Sequence, residues 1–380
     1  MRTARGLIAL GAMATILFAA CAAGASPTTA PTTAPTTAPT TAPTVAPTEA
    51  PTVAPTEAPT APPKAYKIGV VTDIGQLEDK SFNEYSWKGV QEGAAAIGAP
   101  APQVIVTKDT ADYKTNIQTF VDQGYDIIVT IGFLIGSDTL AAAKANPNIQ
   151  FFGIDQFICI PADANDKECK GTPPPNYQGL IFNEAQPGYI AGIVAASISQ
   201  TGVVGTVGGM SNVPPVVKYI NGYKNGAASV NPNIKVLVNY TESFNAPDKG
   251  EAAAKAMVGQ KADVIFQVAG LTGAGALRAA CTAKIWGIGV DFDQWISLPD
   301  AQQCIVTSAE KKLVLAVSDA LKRFAAEGPQ SGNSLGQVGV SEFRNLTPPA
   351  DLQGKIEAAV KGFADGSVDP CKPIACDTIP

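Results

Sequence analysis

The chain has 380 residues, with 33 acidic against 27 basic side chains, a net charge of −6 and no histidine. An acidic chain without a basic patch makes a poor nucleic-acid partner. The lack of histidine removes the commonest general base near neutral pH.

Arg2 and Arg5 precede an apolar stretch, Leu7–Ala20, too short and too rich in Ala and Gly for a membrane span, so residues 1–20 read as an export signal. The sequence Leu17-Phe18-Ala19-Ala20-Cys21 resembles the bacterial lipobox, with Phe18 where that pattern usually has Leu. The resemblance implies that Cys21 is lipidated and becomes the mature N-terminus; the competing reading is ordinary signal cleavage beside an incidental cysteine. Ala-Pro-Thr repeats fill Ser26–Pro63. They carry too little apolar surface to repay ordering and favour extended, solvated backbone. Residues 21–65 are thus expected to be a lipidated N-terminus and a semi-rigid stalk, which ties the protein to the outer face of a cell membrane.

From about Tyr66 onward the chain is long enough for two domains. Setting Cys21 aside leaves six cysteines, an even number suited to an oxidising compartment. Cys159/Cys169 and Cys371/Cys376 each bracket a polar, Pro-rich segment, and Cys281/Cys304 would then remain; other connectivities stay open. None has metal-type spacing, and no metal or cofactor is expected.

Strands and helices alternate along this part. Lys67–Gly93 reads as a strand, a long turn and a helix opened by Ser81-x-x-Glu84, the spacing of a capping box. Strands are expected at Val104–Val106, Asp126–Ile131, Gln150–Ile154, Gly179–Phe182, Val203–Gly208, Lys235–Asn239, Asp263–Val268, Ile285–Val290 and Cys304–Thr307. Helices fall at Ser137–Asn146, Gly188–Ser199, near Val216–Val230, after Asp248, at Gly275–Cys281 and from about Ser308. Continuous apolar strands between helices predict an α/β fold of parallel sheets covered on both faces. The strand count suits two lobes with a cleft between them. We place the first lobe at 66–183 plus about 308–330, and the second at 184–307 plus about 331–380.

Three strands end in aspartate, at Asp73, Asp155 and Asp291. Ligands of open α/β sheets bind beyond the strands' carboxyl ends, where three acceptor-only side chains suit a ligand rich in hydroxyl or amine donors. Each Asp taken singly also reads as the cap of a turn. Phe82 and Phe244 follow strands of different lobes, so closing lobes would sandwich a heterocycle between them; each alone is equally a core residue. Lys311, placed in a first helical turn by an N-cap at Ser308, would oppose the helix dipole and needs another reason to be there. Lys312 reads as solvated surface.

The segments DIGQLEDKSFN, GYIAGIVAASISQTGVVGTVGGM, GYKNGAASVN, DVIFQVAGLTGAG, IGVDFDQ and TSAEK resemble, in order, the basic membrane protein family of ABC-transporter substrate-binding lipoproteins, over roughly Lys67–Leu321. That resemblance implies a type I periplasmic-binding-protein fold and capture of a nucleoside, purine foremost, for an ABC permease. It assigns Phe82 and Phe244 to stacking on the base, with Asn83 in the same motif, and Asp155 to the base edge. Asp73, Asp291 and Lys311 fall on the ribose side, with Gly270 supplying backbone near the sugar. Glu78 stands where the family more often has Asp. The cysteine-bracketed segment Ile158–Pro175 and the tail after Gly328 depart from the pattern. A monomer is expected. The alternatives are a pentose or other sugar receptor, a ligand sensor, or, least of all, a nucleoside-cleaving enzyme, for which the aspartates lie too far apart along the chain to form a calcium cluster.

Overall fold

The computed structural model describes residues 64–163 and 165–378. The export signal, Cys21 and the Thr/Pro-rich run through Pro63 lie outside the described residues. The chain opens with β1 (Ile68–Thr72), α1 (Phe82–Ala96), β2 (Gln103–Ile105), α2 (Tyr113–Asp122), β3 (Ile127–Ile131), α3 (Gly136–Ala145), β4 (Gln150–Ile154) and β5 (Tyr177–Ile181). It then crosses to α4 (Ala185–Ile198), β6 (Val203–Gly208), α5 (Pro214–Val230), β7 (Lys235–Tyr240), α6 (Pro247–Gly259), β8 (Val264–Val268), α7 (Gly270–Thr282), β9 (Trp286–Asp291), α8 (Gln294–Ser297) and β10 (Ile305–Lys311). It closes with α9 (Leu313–Glu327), β11 (Gly332–Leu335), β12 (Val338–Val340) and α10 (Leu352–Asp365).

Two six-stranded sheets result, ordered β11-β5-β4-β3-β1-β2 and β12-β10-β9-β8-β6-β7. Every pairing is parallel except that of β12 with β10. Strands β1, β3, β4 and β8 are buried along their whole length, as unbroken β-branched runs such as Ile127-Ile128-Val129 require when helices cover both faces. In the second lobe α4 and α5 approach so closely that a methyl group on Gly226 would land on the Tyr189 carbonyl oxygen. All three preferred disulfides are present: Cys159–Cys169, Cys281–Cys304 and Cys371–Cys376.

The chain passes between the sheets three times: after β5, at Lys312, and between β11 and β12. Two of these differ from the expected boundaries. Strand β10 belongs wholly to the second sheet, so the crossing falls at Lys312 rather than about 308. The short strand β11 lies in the first sheet, beside β5, whereas the sequence reading places about 331–380 in the second lobe. The tail joins the second lobe: α10 contributes Leu352, Ile356 and Ala359 to its core. Asn221 and Asn225 on α5 donate to carbonyls of the Cys371–Cys376 loop and its flanks.

Ser308 caps no helix, because it sits in mid-strand, where its hydroxyl accepts from the Gln294 amide at 3.0 Å. Lys311 is therefore the last residue of β10, and helical periodicity starts only at Leu313. Ser81 makes no side-chain cap on α1. Asp79 does that work, accepting from the amides of Ser81 (2.9 Å), Asn83 (3.0 Å) and Glu84 (3.1 Å).

Candidate ligand-binding site

The carboxyl ends of β1, β3 and β4 in one lobe face those of β8, β9 and β10 in the other around a cavity of about 630 Å³, counting its mouth. Asp73, Phe82, Asn83, Asp155, Phe244, Gly270, Asp291 and Lys311 all line it. So do residues that sequence reasoning did not select, among them Asp79, Phe133, Val213, Pro215 and Tyr219.

Two of the strand-end aspartates adopt left-handed backbone, Asp155 at φ 60° and Asp291 at φ 64°. Asp tolerates this region better than most residues, yet two such turns at one cavity still carry a conformational penalty that the surrounding structure must offset. Both line the cavity. Asp73 is held differently. Its Oδ1 accepts from the Ile74 amide (2.7 Å) and the Tyr113 hydroxyl, and its Oδ2 from the Leu134 amide (2.9 Å). Burial raises its carboxyl above the ordinary range, and these donors offset part of that rise.

Lys311 reaches from the second sheet to Asp155 of the first, Nζ to Oδ2, at 2.5 Å, and lies 3.4 Å from Oε1 of Glu184. The rings of Phe82, Phe182 and Tyr219 surround the ammonium, their centroids 5.2, 5.3 and 5.5 Å away. Burial alone would lower the lysine's pKa, but Asp155, Glu184 and Asp291 together hold it above the ordinary value. One cation does not neutralise that many carboxylates. Burial pushes Asp155 up despite Lys311, and Asp291 is raised for the same reason. Asp79, wholly enclosed, is pushed up to about 7 by burial. The partner of Lys311 is thus Asp155, whereas Asp291 Oδ2 accepts from the Ser81 hydroxyl at 2.9 Å. Asp155 Oδ1 is buried without a partner.

The aromatic walls come from opposite lobes. Phe82 opens α1, and its neighbour Asn83 is fixed by donating to the Gln76 carbonyl at 3.0 Å. Phe244 follows β7 and lies over Gly209, where any Cβ would collide with its ring. Gly270 begins α7 at φ 55°. Among the described residues, no cluster of three or more acidic or sulfur side chains suits a metal ion. No helix there is long and apolar enough to cross a membrane.

Residues 66–342 match the family described as Bmp, ABC transporter substrate-binding protein PnrA-like. The "ABC transporter nucleoside-binding protein BmpA" of Lactococcus lactis subsp. cremoris is 33% identical over 60% of this chain and 64% of its own. A "CD4+ T-cell-stimulating antigen" of Listeria monocytogenes is 30% identical over 82% of this chain and 89% of its own. Basic membrane protein A of Borreliella burgdorferi is 29% identical over 73% and 77%. Among solved structures, an ABC transporter solute-binding protein of Aeropyrum pernix superposes with a TM-score of 0.69 at 22% identity, over 80% of this chain and 92% of that one. That likeness establishes the shared two-lobed fold. The tail beyond 342, with α10 and Cys371–Cys376, lies outside the family match. Proteins of this kind are receptors rather than enzymes; they take up a small-molecule ligand outside the cytoplasm and present it to a permease. With its matched span covering both lobes and the cavity between them, the chain belongs to the Bmp family of PnrA-like ABC transporter substrate-binding proteins.

Proposed function

We propose that the receptor captures nucleosides, purine nucleosides foremost, between its lobes and is tethered to the membrane through a lipid on Cys21. The observation that carries the ligand assignment is the pair Phe82 and Phe244, one from each lobe, lining a cavity that also holds the unpartnered Asp155 Oδ1. Two rings suit the faces of a planar base, each stack being worth roughly 1–3 kcal/mol. An acceptor with no protein donor suits a ring N–H or exocyclic amine at the base edge. Asp291 and Lys311 are then left for the sugar, with Asp73 and the Gly270 backbone near it. The name of the Lactococcus relative supports the same ligand class.

Calorimetry decides between the two receptor readings. Inosine, guanosine or adenosine should bind at micromolar concentration or below, about −8 kcal/mol or better. Free ribose should bind much more weakly, because it has no base to stack. Ribose or another sugar binding as tightly as the best nucleoside would make this a sugar receptor. Mass spectrometry of whatever small molecule survives gentle purification gives an independent reading. For the anchor, Cys21→Ser should release the protein into the soluble fraction. Identical partitioning of variant and wild type, with no diacylglycerol mass on the wild type, would remove the lipid from the proposal. The receptor is expected to act as a monomer.

A further inference from the structure

We propose that Glu184 is a positioning residue of the cleft, one that holds the Lys311 ammonium to the second lobe and so fixes the donor that the ligand meets. The proposal rests on the cleft being the nucleoside site. Glu184 stands at the N-cap of α4, where a carboxylate would ordinarily accept from the helix's free amides, yet it makes no such bond. Its side chain instead lies 3.4 Å from Lys311 Nζ, is 3% exposed, and leaves Oε2 buried without any partner. Buried carboxylate oxygens are normally satisfied, so this arrangement serves something other than the helix. Glu184 does not line the cavity and can act on a ligand only through Lys311.

The two partners of Lys311 belong to different bodies. Asp155 ends a strand of the first sheet, whereas α4 shares the second lobe's core with α5 and α10. When the lobes separate, Asp155 leaves with the first and Glu184 stays beside Lys311. In the closed arrangement the ammonium is ringed by Phe82 and Phe182 of the first lobe and Tyr219 of the second, surroundings that favour its neutral form unless carboxylates face it. The other ionisable groups facing it are Asp155 and Asp291; Glu310, next in sequence, is engaged by Lys312.

The test combines Glu184→Gln, Glu184→Asp and Lys311→Met. The side-chain carbon resonance of Lys311 is assigned by its loss in the Met variant and followed through an alkaline titration without ligand. In the wild type it should stay unmoved through the ordinary lysine range, roughly pH 10–11; in Glu184→Gln it should titrate at least about one unit lower, and Glu184→Asp should stay near the wild type. Inosine binding should weaken about ten-fold in Glu184→Gln, with its alkaline limb displaced downward by a similar interval. In the Lys311→Met background the Gln change should add nothing. Unchanged titration of Lys311, or an equal further loss of inosine binding in the Met background, overturns the proposal. If the wild type does not bind inosine, the nucleoside reading fails and the ligand-free titration alone decides the role of Glu184.

Discussion

Replacing Asp79 with Asn sets two effects against each other, and pH decides which wins. Asp79 is buried, caps α1 through three backbone amides, and has its carboxyl raised from 3.8 to about 7, chiefly by burial. A carboxyl whose folded pKa lies above its unfolded value is without penalty at pH below the unfolded value. It then destabilises the fold progressively as pH rises to the folded one. Over that interval of about three units, the wild type should lose about 4 kcal/mol from this group. Asn carries no charge and escapes the loss. It keeps one acceptor oxygen, enough for the Ser81 and Glu84 amides that now share Oδ1, but turns an NH₂ toward the Asn83 amide. A buried donor left unsatisfied costs about 1–3 kcal/mol. Asp79→Asn should therefore be the less stable protein near pH 4 and the equal or more stable one at pH 8. Urea unfolding of the Cys21→Ser form, followed by tryptophan fluorescence at pH 4, 5, 6, 7 and 8, measures the difference directly. A difference that stays constant with pH would refute the argument, because it would mean that Asp79 ionises with the same pKa in the folded and the unfolded chain. Asp155 is displaced in the same direction and should steepen the wild-type profile over the same window.

Phe82→Ala and Phe244→Ala should each weaken nucleoside binding by about 1–3 kcal/mol while changing any residual ribose binding little, read by calorimetry. Lys311→Ala should cost about 2–5 kcal/mol of nucleoside binding, because it leaves the buried Asp155 without its cation, and Asp291→Ala should cost about 1.5–3 kcal/mol through loss of the acceptor proposed for the sugar; Lys312→Ala, whose side chain is 45% exposed, should not alter affinity. Equal affinities for the Lys311 and Lys312 variants would take Lys311 out of the site. Gly226→Ala should destabilise the second lobe by several kcal/mol, seen as a fall in Tm, because the added methyl meets backbone rather than a side chain that can turn aside.

What the sequence made legible follows from how strongly each signal was local. Long, mostly apolar runs such as Gln150–Ile154 and Val203–Gly208 match their strands residue for residue, since burial on both faces leaves few polar residues to blur the ends. The strand-end aspartates were legible because an abrupt change from apolar to acidic marks where a parallel strand leaves the sheet. Lys311 was found for the wrong reason. The polar run Ser308-Ala309-Glu310-Lys311 looks like a helix start, but it is a strand whose Ser and Lys are recruited by distant partners, Gln294 and Asp155. Partners more than ten residues away leave no trace in local pattern. The same holds for Tyr219, which enters the cavity from α5, and for Glu184, whose role depends on a lysine far along the chain. Helices α2, α8 and α10 and the short strands β11 and β12 are not among the expected elements. Three- and four-residue strands carry too few side chains to show alternation, and β11 is recognisable only by its pairing with β5.

The first turn of α1 joins the wall of the cavity to the contact between the lobes. It supplies Phe82 and Asn83 to the cavity, and the same few residues fasten the first lobe to the second. Ser81 donates to Asp291 Oδ2, the Lys80 carbonyl accepts from the Ser297 hydroxyl at 2.7 Å, and Tyr85 stacks on Phe292 at 3.4 Å between ring centroids. All of these second-lobe partners lie on β9, α8 or the turn between them, and Asp291 itself lines the cavity. Separation of the lobes must therefore break these contacts at the moment it withdraws Phe82 from the site. A ligand stacked on Phe82 and bonded to Asp291 bridges the same two elements and adds to the same closed arrangement. Differential affinity of this kind is what a ligand needs to shift a population toward the closed form. The lobes already hold each other through Ser81, Lys80, Tyr85 and the buried Lys311–Asp155 pair, of which a neutral bond such as Ser297 to Lys80 is worth only about 0.5–1.5 kcal/mol net. Any ligand bonded to both elements would add its own contacts to these in the closed arrangement alone, which is how it would bias the lobes toward closure.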